Sequence, residues 1–463
     1  MKRLKFLVVS MFMLTASMVP ANSGVAAPLS VMPHVTTEML DASYWIEKLN
    51  YPDQVIMNSR EIETFNTEIM RKLPTTVYDL TSYPDSLSKQ DLAKLLLKYS
   101  FPTSTLFTNG RAIEAAYYDN LKSLMNFEGV QETNSVQFGF TVKRADIRTF
   151  PTDDAVLESA DDIEFDQFQE TAVGPAEALL VLHTSKDGKW FFVQTHDYLG
   201  WMKADCIAVG SKDEWLNYQK SNQFLVVTGN MLQLGFNEYS PELSELAFGM
   251  GAKLPLAVGD EIPRLVDNQS VAGNYVVKIP VKNQAGQLDF KLALVSAASD
   301  VYEGYLPYTR ASILKQAFKM QGQRYGWGGS FHSRDCSAFI QDIYAVFGFQ
   351  LPRNADEQEN SAGITVNIPE QATRLERAVL LSKMKPGATL HMNGHVMLYL
   401  GEENGHEYIV HDIAAQGDSK HPLPDGKLKR VPINQVTVTD VELLRSNGKQ
   451  LLESLQTLKQ IEK

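Results

Sequence analysis

Two thiols could do covalent chemistry in this chain, Cys206 and Cys336. Cys336 stands in Asp335-Cys336-Ser337, behind a turn rich in glycine (Gly326, Gly328, Gly329). Phe339, Ile340, Ile343, Tyr344 and Phe347 follow it at helical spacing. That pattern puts Cys336 at the N-terminus of a helix. There the unpaired N–H groups and the macrodipole favour negative charge, so the thiol is biased toward the nucleophilic thiolate. A free cysteine at a helix start is more often a small packed hydrophobe. Two features raise Cys336 above that reading. The glycines bring backbone close to whatever sits at the thiol, and two histidines lie downstream in the pattern of a base and its orienter. Cys206 lies in the apolar, strand-like run 204–209 and is expected to be a buried free thiol. A Cys206–Cys336 disulfide would block the nucleophile and is not expected.

His395 opens the apolar run His395–Leu400, which reads as a buried strand. The residues 401–405 read as a turn, and 407–412 as the returning strand, with His411 at its end. In an antiparallel pair the two imidazoles can meet at one end, as a general base and the group that orients it must. His391, His406 and His421 read as surface or satisfied polar groups and receive no role. There is no paired-cysteine spacing and no His-Glu-x-x-His, so neither a metal nor a cofactor is expected.

Taken together, Tyr325-Gly-Trp-Gly-Gly329, Asp335-Cys-Ser-Ala-Phe339, Leu351-Pro-Arg-Asn354, Pro386-Gly387 and Gly394-His395-Val396 resemble the NlpC/P60 family of papain-like cell-wall cysteine peptidases. The blocks fall in the family's order across roughly 305–463. The resemblance implies a catalytic triad of Cys336, His395 and His411, with a helix carrying the cysteine packed on an antiparallel sheet carrying the histidines. It also implies that Tyr325 faces the nucleophile and helps at the oxyanion, and that Asp335 and Ser337 contact the substrate. For Asp335 two roles stand open: meeting a cationic group of the ligand, or capping the helix. The substrate class implied is the peptidoglycan stem peptide, cut at the γ-D-glutamyl–diaminopimelate bond.

The elements that must position these residues come from the rest of the chain. At 463 residues several domains are expected, and 44% hydrophobic with 21% charged residues is the balance of folded protein rather than disorder. A net charge of −12 argues against nucleic acid as partner. Residues 1–27 read as a secretory signal: Lys2, Arg3 and Lys5, then an apolar run, then small residues up to Ala27. Later runs are too short to span a bilayer. Residues 28–127 read as a helical stabilising region, with Asn58/Glu61 and Ser88/Asp91 as helix starts. Residues 128–220 read as short strands, with a hairpin about Lys186-Asp-Gly-Lys189. With Arg148-Thr-Phe-Pro-Thr152 and Gly200-Trp201 they resemble a bacterial SH3 domain. Residues 221–304 read as a second, more divergent barrel. Trp190, Tyr198 and Trp201 suit a barrel core better than a ligand face. Residues 305–463 form the catalytic region. Gly417-Asp418 and Pro422 in it read as loops, 436–441 as a strand, and 447–463 as a solvated helix.

The expected architecture is therefore multidomain α+β: a helical N-terminal region, two small SH3-like β-barrels and a C-terminal papain-like α+β domain. The expected activity is that of an exported, monomeric cysteine endopeptidase acting on peptidoglycan or its stem peptides in the periplasm or cell envelope. Three rival readings remain: a non-enzymatic wall-binding protein, a recycling enzyme restricted to free stem peptides with N-terminal L-Ala, and an acyltransferase on the same Cys-His fold. Intact Cys336, His395 and His411 weigh against the first, and the lack of a strongly apolar groove against the last.

Overall fold

A computed structural model describes residues 31–463; the signal expected at 1–27 lies outside them. The region that matters for chemistry begins with helix α1 (Arg310–Phe318) and helix α2 (Cys336–Ala345). The strands are β1 (Ile364–Asn367), β2 (Thr389–Met392), β3 (His395–Glu403), β4 (His406–Pro422), β5 (Leu428–Asp440) and β6 (Thr457–Gln460). They make one antiparallel sheet in the order β1-β6-β2-β3-β4-β5. The apolar face of α2 (Phe339, Ile340, Ile343, Tyr344) is fully buried. It shares a core with Val396, Leu398 and Leu400 of β3, Val410 of β4, and Val436 and Val438 of β5. Alternating strand residues thus bury one sheet face under the helix that carries the cysteine.

Two local expectations change. The returning strand does not end at His411. It runs on to Pro422, because β5 supplies backbone partners as far as Asp418↔Lys429 and Pro422↔Leu428, with bulges absorbing the irregular stretches. Gly417 is therefore strand, not loop. A Cβ there would lie 2.4 Å from the carbonyl oxygen of Arg445, so glycine admits a close backbone approach. The C-terminal segment is not a solvated helix either. After the one-turn helix Leu451–Ser454, β6 lies between β1 and β2, and all four of its residues are buried. The Lys459 ammonium donates to Ser361 O (3.0 Å) and Thr365 Oγ1 (2.8 Å), and burial pulls its pKa down to about 8. A charge-rich local sequence is overridden here by strand pairing and by acceptors distant in sequence.

The stretch expected as one helical region divides between two cores. The helix Ser59–Lys72 starts with the reciprocal Asn58/Glu61 cap. It buries Ile62, Phe65 and Ile69 in the core of the cysteine helix, with Phe65 edge-on to Phe349. The helices Lys89–Leu96 and Ala115–Leu124 bury Leu92, Leu96 and Leu121 against Phe138, Phe150 and Trp201 instead.

Strands from residues 137–210 form a single seven-stranded sheet. Its central hairpin pairs Ala178–Thr184 with Trp190–Gln194. Trp190, Tyr198 and Trp201 are buried in it. Residues 224–303 build separate two- and three-stranded sheets over their own core of Leu225, Val227, Phe248, Leu254, Val277 and Ile279.

Candidate active site

Cys336 is the first residue of α2, 7% exposed, with Asp335 as its N-cap accepting from Ala338 N at 3.0 Å. The Gly-rich turn before it has Gly328 at φ +54° and Gly329 at φ +85°. A Cβ on either would clash, at 2.9 Å with Gln169 and at 2.7 Å with Ala172. Gln169 Nε2 donates to Gly328 O (2.8 Å), Arg144 Nη2 to Gly329 O (2.5 Å) and Trp327 Nε1 to Asp166 O (3.2 Å). The sequence reading assigned these glycines to a close approach at the thiol. Their close approach is to the strand Gln169–Val173, which holds the turn from outside.

Asp335 and Ser337 are tied to Arg353 of the Leu351-Pro-Arg-Asn354 block, whose part in the site has no local signal in the sequence. Arg353 clasps Asp335 with two hydrogen bonds (Nη1–Oδ1 3.0 Å, Nη2–Oδ2 2.7 Å) and donates to Ser337 Oγ (2.8 Å) and Thr171 Oγ1 (2.7 Å). Gly328 N adds a bond to Asp335 Oδ2 at 3.1 Å. All three residues are buried. Of the two roles open for Asp335, the geometry supplies the cap. The cation that Asp335 meets is Arg353, and both carboxylate oxygens are held by protein donors. Ser337 likewise spends its hydroxyl on Asp335 and Arg353.

The histidines do meet. His395 Nε2 and His411 Nδ1 are 2.9 Å apart, and His411 Nε2 is 3.1 Å from Thr439 Oγ1. Thr439 lies on β5, two residues from the strand partner of His411, and sequence spacing alone gave no sign of it. With His395 Nε2–H donating to His411 and His411 Nε2–H donating to Thr439, the chain leaves His395 Nδ1 unprotonated. That is the tautomer of a general base. The thiol of Cys336 faces the backbone N–H of Val396, the residue after His395. Among the described residues no hydrogen bond joins it to the imidazole itself. Tyr325 is buried beside Cys336, Asp335 and Asp412, and burial with these neighbours holds its phenol neutral.

The electrostatics differ from those expected of a helix-start cysteine. Burial and the neighbouring Asp335 charge push the Cys336 thiol up to about 12, against a smaller opposing effect of the Val396 N–H. Burial pulls His395 down to about 4, and His411 lies well below its usual range. Thiol and imidazole are thus both neutral at rest, chiefly because burial disfavours the charged form of each, with the Asp335 charge adding to the effect on the thiol. Asp412, next to His411 on β4, is fully buried, and among the described residues neither carboxylate oxygen has a hydrogen-bond partner. Burial and Asp335 raise it to about 9, so it is protonated at neutral pH.

A cavity of about 980 Å³ adjoins the far side of the Arg353 network, lined by residues such as Arg144, Thr171, Gly329, Arg334 and Arg353. Neither Cys336 nor His395 lines it, so side-chain chemistry, not volume, marks the site.

Comparison with known proteins agrees with this geometry. Residues 322–418 match the NlpC/P60 family, and residues 155–203 match an SH3 domain of the SH3b1 type. The chain carries an NlpC/P60 domain. The match holds all of α2, β2 and β3 and the His411 part of β4, so Cys336, His395 and His411 all fall within the NlpC/P60 segment. The bifunctional muramidase/DL-endopeptidase CwlT of Bacillus subtilis (strain 168) is 32% identical over 124 residues, 26% of this chain. The chain spans about a third of that relative's length. A solved structure described as a novel NlpC/P60 endopeptidase from Photobacterium damselae subsp. piscicida superposes with a TM-score of 0.72 at 18% identity. That likeness covers 94% of this chain and 98% of the other, and it shows a shared fold. Both matched segments, 155–203 and 322–418, lie inside the stretches whose motifs resemble these two families. Among the described residues no helix is long and apolar enough to cross a membrane.

Proposed function

We propose that this chain is an exported cysteine endopeptidase that hydrolyses peptidoglycan stem peptides at the γ-D-glutamyl–diaminopimelate bond. The observation that carries the reading is the His395–His411–Thr439 relay beside a helix-start cysteine within an NlpC/P60 segment. The NlpC/P60 family is one of cysteine peptidases, and a relative in part is named a DL-endopeptidase. Peptidoglycan as substrate supports a location outside the cytoplasm. The units proposed are a helical stretch at 28–127, SH3-like units at 128–220 and 221–304, and a catalytic unit at 305–463.

In this mechanism the neutral His395 takes the Cys336 thiol proton at Nδ1 as sulfur adds to the amide carbonyl carbon. His411 stabilises the imidazolium that forms. The Cys336 backbone N–H and the Tyr325 hydroxyl face the developing oxyanion. His395 then returns the proton to the leaving amine, giving a thioester. Water, deprotonated by His395, adds to the thioester and releases the acid and the thiol. Asp335, through Arg353 and the helix cap, positions the nucleophile. Ser337 belongs to the same network, and Tyr325 is the substrate contact expected of the three.

The test is digestion of purified peptidoglycan and of free L-Ala-γ-D-Glu-diaminopimelate peptide by the wild-type chain and Cys336→Ala, with mass spectrometry of the products. Cleavage after D-Glu by the wild type alone supports the proposal. Preference for the free peptide would identify a recycling enzyme. Absence of any Cys336-dependent product from both would leave a wall-binding protein.

A further inference from the structure

At the far end of the hairpin that carries the catalytic histidines, four metal-ligating side chains converge. They are His34, from the N-terminal arm, His406, which opens β4 at the tight turn, and Asp440 and Glu442, at and just beyond the end of β5. One ligand atom from each lies within 4.8 Å of all the others. His34 Nδ1 is 2.5 Å from Asp440 Oδ2, a pair 406 residues apart in the chain. His406 Nδ1 is 3.7 Å from the same Asp440 oxygen and 3.9 Å from Glu442 Oε2. The two imidazoles lie 4.6 Å apart between centroids, their planes tilted by 34°.

The unsatisfied atoms point inward. His406 Nδ1 is buried and has no hydrogen-bond partner among the described residues, although two carboxylates face it. The remaining oxygens are already employed outward: Asp440 Oδ1 accepts from Glu442 N at 2.9 Å, and Glu442 Oε1 pairs with Arg374. Each carboxylate thus keeps one oxygen for the centre. The backbone behind the cluster is fixed. Tyr408 Oη donates to His34 O at 2.7 Å, Trp45 packs on Tyr408 with centroids 5.4 Å apart, and Lys48 pairs with Glu403 at 2.5 Å.

We propose that His34 Nδ1, His406 Nδ1, Asp440 Oδ2 and Glu442 Oε2 form a structural zinc site that fastens the N-terminal arm to the β3–β4 turn. Two imidazole nitrogens with two carboxylates suit Zn²⁺ and exclude the all-oxygen shells that Ca²⁺ and Mg²⁺ take. At bond lengths of about 2.0 Å, tetrahedral ligand atoms lie about 3.3 Å apart. The contacts given above bracket that distance, so small side-chain rotations complete the shell. Four protein ligands close it, which is the form of a structural rather than a catalytic centre. The site is also remote from the chemistry: eight residue steps of β3, about 26 Å, separate Glu403 from His395. Sequence reading expected no metal because its ligands share no motif. Only the fold brings His34 to the hairpin.

The experiment uses the full chain with Cys336→Ala, which keeps zinc off the catalytic thiol, stripped with chelator and titrated with Zn²⁺ by calorimetry. The expected result is one zinc per chain and a Tm raised by about 5 °C at saturating metal. His406→Ala and, as a milder change, Glu442→Gln each weaken binding at least about tenfold, the cost that even the loss of an outer-shell partner carries, and remove most of the Tm shift. In the Cys336 background, His406→Ala leaves peptidase turnover within about twofold, since it lies outside the relay. No saturable zinc binding would overturn the proposal and leave His34–Asp440 as an ion pair. Equal zinc affinity in the Cys336→Ala parent and in both variants made on it would overturn it as well.

Discussion

The two ends of one hairpin each hold a pair of histidines, His395 with His411 at one end and His406 with His34 of the N-terminal arm at the other, in opposite surroundings. At the His395 end, two imidazoles hydrogen-bond to each other in a buried pocket, and burial holds both in the neutral form. At the turn end, His406 packs at a tilt against an exposed His34, and the Asp440 carboxylate raises the pKa of His34. The residue type is the same, and each pair includes a residue of β4. What differs is the partner that the fold supplies: a hydroxyl, Thr439, at one end and two carboxylates at the other. A neutral imidazole with a fixed tautomer can move a proton. An imidazole facing carboxylates can share a cation with them.

The sharpest way to break this contrast is to remove chemistry from each end. Cys336→Ala or His395→Ala should lower kcat/KM by about 10⁴-fold or more, because the residues act as a unit. Stem-peptide turnover followed by mass spectrometry reads this directly, with His406→Ala as the control expected to stay near wild type. His411→Ala should cost about 10²-fold in kcat with KM little changed, since it removes the orienter and not a substrate contact. A loss confined to KM would place His411 in substrate binding instead.

Protonation tests the same contrast. His395 has a folded pKa of about 4, below its value in the unfolded chain, so the unfolded state binds more protons between those values. Stability is full above about pH 6.5 and should fall by roughly 3 kcal/mol as pH drops toward 4. His391, pulled down to about 3 by burial, adds to the same fall. Activity should likewise persist below pH 6 with its acid limb near 4, provided the chain stays folded. A limb near 6.5 in kcat/KM would show an imidazole less buried than this one. Asp412 works in the other direction, because its folded pKa is raised to about 9. Its stability cost grows as pH rises from about 4 to 9. Asp412→Asn should therefore stabilise the chain by about 2 kcal/mol at pH 7 and flatten that slope in urea melts. The smallest effect expected is that of Thr439→Val, which removes one hydrogen bond worth about 1 kcal/mol and should slow turnover about fivefold.

The sequence by itself determined which thiol and which two histidines are the proposed reacting groups, and the local elements that carry them. Asp335 reads as a cap, the apolar spacing after Cys336 reads as a helix, and His395 heads a run with no polar break. These signals are local, set by backbone capping and side-chain periodicity within a few residues. It also placed the SH3-like hairpin, where Lys186-Asp-Gly-Lys189 dictates the turn. The tertiary structure alone decided which residues complete each site. Arg353 neutralises Asp335, Thr439 holds His411, and the strand Gln169–Val173 clamps the Gly-rich turn. Those partners lie 18 to 159 residues away in the chain. It also decided that the charged C-terminal segment is a buried strand and that the thiol rests neutral. Burial and long-range charge pairing set both outcomes, and neither has a local signature. A motif fixes which groups can react; the packing around them fixes their protonation and their partners.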